Sequence, residues 1–414
     1  KIAMRRYIWK IICIVLAVAL SSGCGNKVGF IKVNGTSLIT PDGEEFFIRG
    51  TNLGNWLNPE GYMFRFPNSV NSAYRINDGL CEMVGPGYVR DFWTTFVENY
   101  VTEKDIEYIA KTGTNTLRIP FHYKMFTSDR YLCFEEPADG YELMDKVVGW
   151  CRNHGLKVIL DMHVCPAGQS GDNIDDSYGY PWLFVDQKAQ DLFVDIWAGL
   201  AEHYRNDPTI LGYDFMNEPI AHYFEDKDML NANCVELYKR VCGVVSEIDP
   251  NHILIIGGVQ WNGNFAPFEG VDFGENVMYT CHIYGCYPAK GSIGHFLKFR
   301  DSVGKPMFMG ETGENTDQWV HDFRVAMEES GMGWTFWTYK KLDNERGFLN
   351  IARPEGWDSI IEYLGSDRST YADIRDARKD QALYRNALDS YLKNCLFENC
   401  KVNEGYISAL GLNP

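Results

Sequence analysis

Eight short apolar runs, separated by longer stretches with helical spacing, restrict the fold of this chain more than any other feature. The runs are 47–50, 114–120, 156–163, 210–217, 253–258, 277–283, 306–310 and 333–338. Each is rich in branched and aromatic residues and bounded by turn formers, the pattern of strands buried on both faces. The stretches between them, such as 103–112, carry the spacing of amphipathic helices. Strand–helix alternation eight times over about 300 residues predicts an α/β fold, a parallel (β/α)8 TIM barrel. A doubly wound open sheet would need a glycine-rich turn opening a helix after its first strand. The segment 50–54 has the glycines but no helix-forming stretch behind it. Residues 28–49 read as an N-terminal β-hairpin, with turns at Asn34-Gly35 and Pro41-Asp42-Gly43. From about residue 356 the chain reads as a helical C-terminal extension, periodic over 371–392. Residues 57–95 are rich in Gly, Pro, Asn and aromatics and are expected to form a long functional loop. No repeat or linker divides 28–414, so it reads as one domain.

Residues 1–27 stand apart. Arg5, Arg6 and Lys10 precede the apolar run 11–20, and Ser21-Ser22-Gly23-Cys24 follows. This is the layout of a bacterial secretory signal. A cysteine directly after small residues predicts a lipoprotein signal with Cys24 acylated, and so export to the cell envelope. The run is too short to span a bilayer comfortably, so membrane contact is expected only through the lipid. The chain carries a formal charge of −17, and the part beyond residue 23 is more acidic still, because residues 1–23 hold four basic and no acidic side chains. Nucleic acid is therefore excluded as a partner, and a neutral substrate fits. The 12 cysteines have irregular spacings that form no zinc pattern. Most read as buried thiols, although Cys395/Cys400 and Cys281/Cys286 are close enough in sequence to pair.

The strand ends carry the chemistry. The run 210–217 leads into Asn217-Glu218-Pro219, and proline ends the strand there, leaving a carboxylate at its C-terminal end. The run 306–310 closes in the same way on Glu311. Two carboxylates at buried strand ends are the equipment of glycoside hydrolysis, where one protonates the leaving oxygen and the other attacks or activates water. Either glutamate alone is more often a surface or capping residue. Arg118 lies inside an apolar run and must be paired with a carboxylate, for which Glu311 is the candidate. His163, His282, Tyr284 and Trp337 close three further runs, and all eight residues fall on the C-terminal face, where barrels of this class build their sites. The 11 Trp and 24 Tyr exceed what a core requires, and surplus aromatics suit the apolar faces of sugars.

The ordered set resembles glycoside hydrolase family 5, the cellulase family of the clan A retaining β-glycosidases. The matching pieces are Arg118 in LRIPF, His163 in ILDMH, Asn217-Glu218 in FMNEP, His282 and Tyr284 in CHIY, Glu311 in MGE and Trp337 in WTFW, spread over about 29–364. The resemblance implies a retaining double displacement, with Glu218 as acid/base and Glu311 as nucleophile. It implies that Arg118 and Tyr284 hold Glu311 ionised and that Asn217 bonds the sugar 2-hydroxyl. His163 and His282 would bind sugar hydroxyls or orient the acid, and Trp337 would be the stacking floor. No cofactor or metal is implied. The expected partner is a β-linked polysaccharide or oligosaccharide, most simply a β-glucan, acted on by a monomer. The same machinery on β-mannan, another β-glycan or a glycolipid is the enzymatic alternative, and a non-catalytic glycan-binding surface protein is the other. Val164 after His163, and Lys340-Lys341 after the last run, depart from the family pattern, while GTNLGNWL and the aromatic first loop look like its exo-β-glucanase branch. The acidic loop 172–176 with 178–184 is expected as a lid over one end of the cleft, solvated rather than calcium-binding.

Overall fold

The computed structural model describes residues 29–172 and 175–414; the signal segment and Cys24 lie outside them. After the hairpin β1 (Lys32–Asn34) and β2 (Ser37–Ile39) come eight barrel strands. These are β3 (Arg49–Asn52), β4 (Thr116–His122), β5 (Lys157–Val164), β6 (Ile210–Asp214), β7 (Ile253–Gly257), β8 (Val277–His282), β9 (Met307–Glu311) and β10 (Trp334–Phe336). They pair in chain order, all parallel, and β10 closes onto β3. This is the expected (β/α)8 barrel. Outer helices follow the strands, for example Pro137–Asn153 after β4 and Lys227–Ile248 after β6. The exception follows β7, where the chain makes only a short turn at Val259–Asn262 and a 3-10 turn at Ala266–Phe268. That connection carries its residues to the top of the barrel instead of packing a helix on its side.

The hairpin has a clear role. Ile31 and Leu38 pack with Ile48, Leu211, Ile253 and Phe308, which sit at or just before the N-terminal ends of barrel strands. The hairpin therefore plugs the bottom of the barrel and leaves the top open. Burying each of its two aliphatic side chains contributes about 1.5–3 kcal/mol.

Three expectations change. Residues 57–95 are not a loop throughout: Ala73–Val84 is a helix, and Pro86–Tyr100 follows it with proline in its first turn. Strand β6 stops at Asp214, so Asn217 and Glu218 stand on an irregular segment beyond it, still tied to its neighbours by Phe215 N–H to Ile255 O and Asn217 N–H to Met162 O. The periodic tail breaks into Tyr371–Ala377 and Gln381–Asn394, and a small sheet joins β11 (Lys340–Leu342), β12 (Leu349–Ile351) and β13 (Lys401–Val402). The ten described cysteines are all free thiols, so neither suggested pair is bonded.

Candidate active site

One cavity of about 590 Å3 opens at the C-terminal end of the barrel. His163, Asn217, Glu218, His282, Tyr284, Glu311 and Trp337 line it. Arg118 is buried beneath it with no exposed surface. All eight residues singled out in the sequence are thus brought together, from six strands and the segments that follow them. The alternation of strand side chains explains this: Arg118 on β4, Asp161 and His163 on β5, and Asp214 on β6 all face the barrel interior.

Arg118 is the hub. One terminal nitrogen donates to Glu311 Oε1 at 2.6 Å and to Asn52 Oδ1 at 3.1 Å. The other donates to Asn217 Oδ1 at 2.9 Å and lies 3.0 Å from Asp161 Oδ1. Its Nε donates to Asp214 Oδ2 at 2.8 Å. The expected Glu311 partner is present, but three carboxylates share one guanidinium. Burial pushes Asp161 and Asp214 up to about 7 despite the pull of Arg118. Glu311 also accepts from Tyr284 Oη at 3.0 Å, so both its oxygens meet donors. These donors fix the orientation of the carboxyl group.

Glu218 stands in a different environment. Burial pushes its carboxyl up to about 7, with smaller opposing effects from His163 and Arg118. Its Oε1 lies 2.9 Å from His282 Nδ1. Its backbone is left-handed, φ 46°. Gln169 holds the segment in place, because its Nε2 donates to both Asn217 O and His163 O at 2.8 Å, and its backbone carbonyl accepts from Ile220 N–H. His163 and His282 are both buried, and burial lowers them to about 4 and about 3, so both are neutral. His163 Nδ1 lies 2.7 Å from Asp161 Oδ2, which fixes that ring.

Donor atoms of Glu218, His282 and Glu311 all lie within 4.8 Å of one another. Among the described residues this is the grouping with the spacing of a metal site. Its donors are already spent on each other, on Arg118 and on Tyr284, and the hard–soft pattern is that of a carboxylate pair with one imidazole. An oxygen of Glu218 and one of Glu311 therefore approach within 4.8 Å, closer than the about 6.5–9.5 Å between carboxyls that leaves room for a water.

Part of the cavity lining is latched together. Trp337 Nε1 donates to Tyr62 Oη at 2.6 Å, and Lys341 Nζ sits 4.2 Å above the Tyr62 ring. Lys341 is ion-paired with Glu314, whose carbonyl accepts from Arg346 at 2.9 Å. Three separate connections, after β3, β9 and β10, are latched here. Glu60 lines the cavity as well. It is 4% exposed, burial raises its pKa, and its Oε1 has no hydrogen-bond partner among the described residues. Trp261 also lines the cavity and touches His222 and Tyr223. The described residues of the loop expected as a lid do not line the cavity. Its Asp175 accepts from the backbone of Ser170, Gly171 and Ser177, and Asp176 accepts from Tyr74 N–H, so it braces the first connection instead. Sequence reasoning missed Glu60, Gln169 and the turn holding Trp261; the lone acid in the apolar stretch NWLNPEGYMF was the one available signal.

A family model described as Cellulase (glycosyl hydrolase family 5) matches residues 82–343. A β-xylosidase of Phanerodontia chrysosporium is 30% identical over 362 residues, covering 79% of this chain and 74% of that protein. Endoglucanase C of Acetivibrio thermocellus is 26% identical over 309 residues, covering 60% and 86%. Among solved structures, the rutinosidase from Aspergillus niger is similar at a TM-score of 0.59 and 17% identity, over 72% of this chain and 90% of that one. At that identity the likeness is one of fold.

Proposed function

This chain belongs to glycosyl hydrolase family 5, a family of retaining β-glycoside hydrolases, and from that premise we propose that Glu218 is its acid/base and Glu311 its nucleophile. The observation that carries the reading is the short separation of two carboxyls in unlike environments. Glu311 attacks the anomeric carbon, the bond to the leaving oxygen breaks, and that oxygen takes the proton of Glu218. The glycosyl–Glu311 ester then breaks as water attacks the same carbon, giving its proton back to Glu218. Arg118 and Tyr284 hold the carboxylate, Asn217 meets the sugar, and Trp337, kept flat against His163 at 5.5 Å, is the floor.

The substrate in this reading is a β-glucan or an oligosaccharide derived from it. The wall of Tyr62, Glu314 and Lys341 supports action at chain ends. The names of the relatives place β-xylosides beside β-glucosides on the panel to be assayed, together with β-mannan. Proton NMR of the reaction should show the β-anomer first. Glu311→Ala should abolish turnover of every substrate. Glu218→Ala should spare the first step of substrates with activated leaving groups, and added azide should then yield a β-glycosyl azide. An α-anomer formed first would overturn the assignment. No hydrolysis by wild type of any β-glycan would favour a non-catalytic glycan-binding protein.

The signal-like segment supports export with a lipid on Cys24. Expressed in a bacterial host, the protein should partition with membranes and Cys24→Ala should release it. Wild type found only in the soluble fraction would refute the anchor.

A further inference from the structure

The turn after β7 is built unusually. Gln260, Trp261 and Asn262 are three consecutive non-glycine residues in the left-handed region, with φ of 50°, 58° and 56°. L side chains resist that conformation, and single residues rather than runs normally adopt it. Here it is bolted in place. Asn262 N–H donates to Gly258 O at 3.1 Å, Asn264 N–H to Val259 O at 2.9 Å, and Gln260 Nε2 to Asn231 Oδ1 at 2.9 Å. The effect is to drive Asn262 inward until it is wholly buried, with Nδ2 3.1 Å from His282 Nε2. Gly257 makes the space, since a Cβ there would lie 2.4 Å from Asn262 Oδ1.

His282 is neutral, so it has one N–H to give. Its Nδ1 faces Glu218 Oε1, and its Nε2 faces Asn262. With the Asn262 amide donating, Nε2 accepts and the N–H lies on Nδ1. The reversed amide would leave both amide N–H groups buried without a partner, a worse arrangement than one orphaned carbonyl oxygen. We infer that Asn262 is a positioning residue that locks His282 in its Nδ1–H tautomer, so that Glu218 accepts from His282 at Oε1 and must carry its acid proton on Oε2. Were Nδ1 an acceptor instead, Glu218 would donate its proton to His282, and the proton would be withheld from the leaving oxygen. The inference rests on the proposed role of Glu218 as acid/base.

The other charged groups facing this pair are few. Glu311 Oε2 lies 3.8 Å from His282 Nδ1, and Arg118 and His163 act on both residues from β4 and β5. Asp172 and Glu60 act from the connections after β5 and β3. None of these reaches Nε2 of His282 in place of Asn262.

The test uses Asn262→Gly, which keeps the left-handed turn comfortable, and Asn262→Asp, which is isosteric but forces a proton onto His282 Nε2. Aryl β-glycosides with good and poor leaving groups are compared over a pH series, with thermal unfolding confirming the fold. For the poor leaving group kcat/KM should fall at least about tenfold, within the range that general acid catalysis supplies. For the good leaving group it should change less than about threefold. The alkaline limb of the kcat/KM profile should move to higher pH, because the carboxylate loses its donor. Equal losses on both substrates, or a limb left at its wild-type pH, would overturn the inference. Failure of the underlying reading is told apart by Glu218→Ala, which would then show no leaving-group dependence at all.

Discussion

Glu218→Gln should leave the fold as stable as wild type in acid and make it more stable in alkali. Glutamine has the shape of the protonated glutamate and cannot ionise. Glu218 titrates at about 7 in the folded protein, against 4.5 for an unperturbed glutamate, chiefly because it is buried. A folded-state value above the unfolded one means that the fold favours the protonated group. The stability this gives is complete below pH 4.5 and is lost as pH rises through 7. The difference, 7 minus 4.5, is about 2.5 units, and at 1.36 kcal/mol per unit it caps the effect at about 3 kcal/mol. The side chain is 16% exposed, so water reduces that ceiling only a little. Urea unfolding of both proteins at pH 4.5 and pH 8.5 measures the difference directly. Wild type should lose about 2–3 kcal/mol relative to the variant between the two pH values. Parallel pH dependence would mean that Glu218 is not held protonated by its surroundings, and the argument for its role as the acid would fall with it.

The barrel was legible because its strands are branched-residue runs closed by Pro, Gly or a polar residue, and their order repeats. Arg118 was legible as a paired charge, because a guanidinium in an apolar run needs a carboxylate. That Asp161 and Asp214 would share it was not, since it depends on β5 and β6 aligning Asp161 with Asp214, and register across parallel strands leaves no local mark. The helix Ala73–Val84 was hidden by Gly79, although Ile76, Leu80, Met83 and Val84 are spaced for one face. Gly79 is there for packing, since a Cβ would sit 2.7 Å from Leu364 Cδ2. The turn of Gln260, Trp261 and Asn262 could not be read at all. Left-handed backbone is signalled by glycine, and none of the three is one; long-range bonds hold the turn where local preference would not.

Four further outcomes follow from the same geometry. For wild type, kcat/KM should decline as pH rises through about 7, because the first step needs Glu218 protonated, and a profile flat to pH 9 would contradict the assignment. Lys340→Met should cost about 3–5 kcal/mol while sparing kcat/KM at low temperature, because it leaves buried Asp105 without its counter-charge and removes the donor to the carbonyls of Tyr100 and Cys395 that fasten the C-terminal extension; thermal unfolding checks it. Tyr62→Phe should lower kcat/KM about tenfold with the fold intact, by leaving Trp337 Nε1 without its acceptor and loosening the sugar floor. The wall itself decides how a polymer is cut. Tyr62, Glu314 and Lys341 join three connections beside the cavity, and in the proposed reading this wall admits a long chain by its terminus. Viscosity of a soluble β-glucan should then fall slowly for each reducing end released, and the double variant Tyr62→Ala with Glu314→Ala, which removes the latch from both sides, should steepen that fall. A steep fall with wild type would mean that the chain passes through the wall, and the cavity would have to be read as an open cleft.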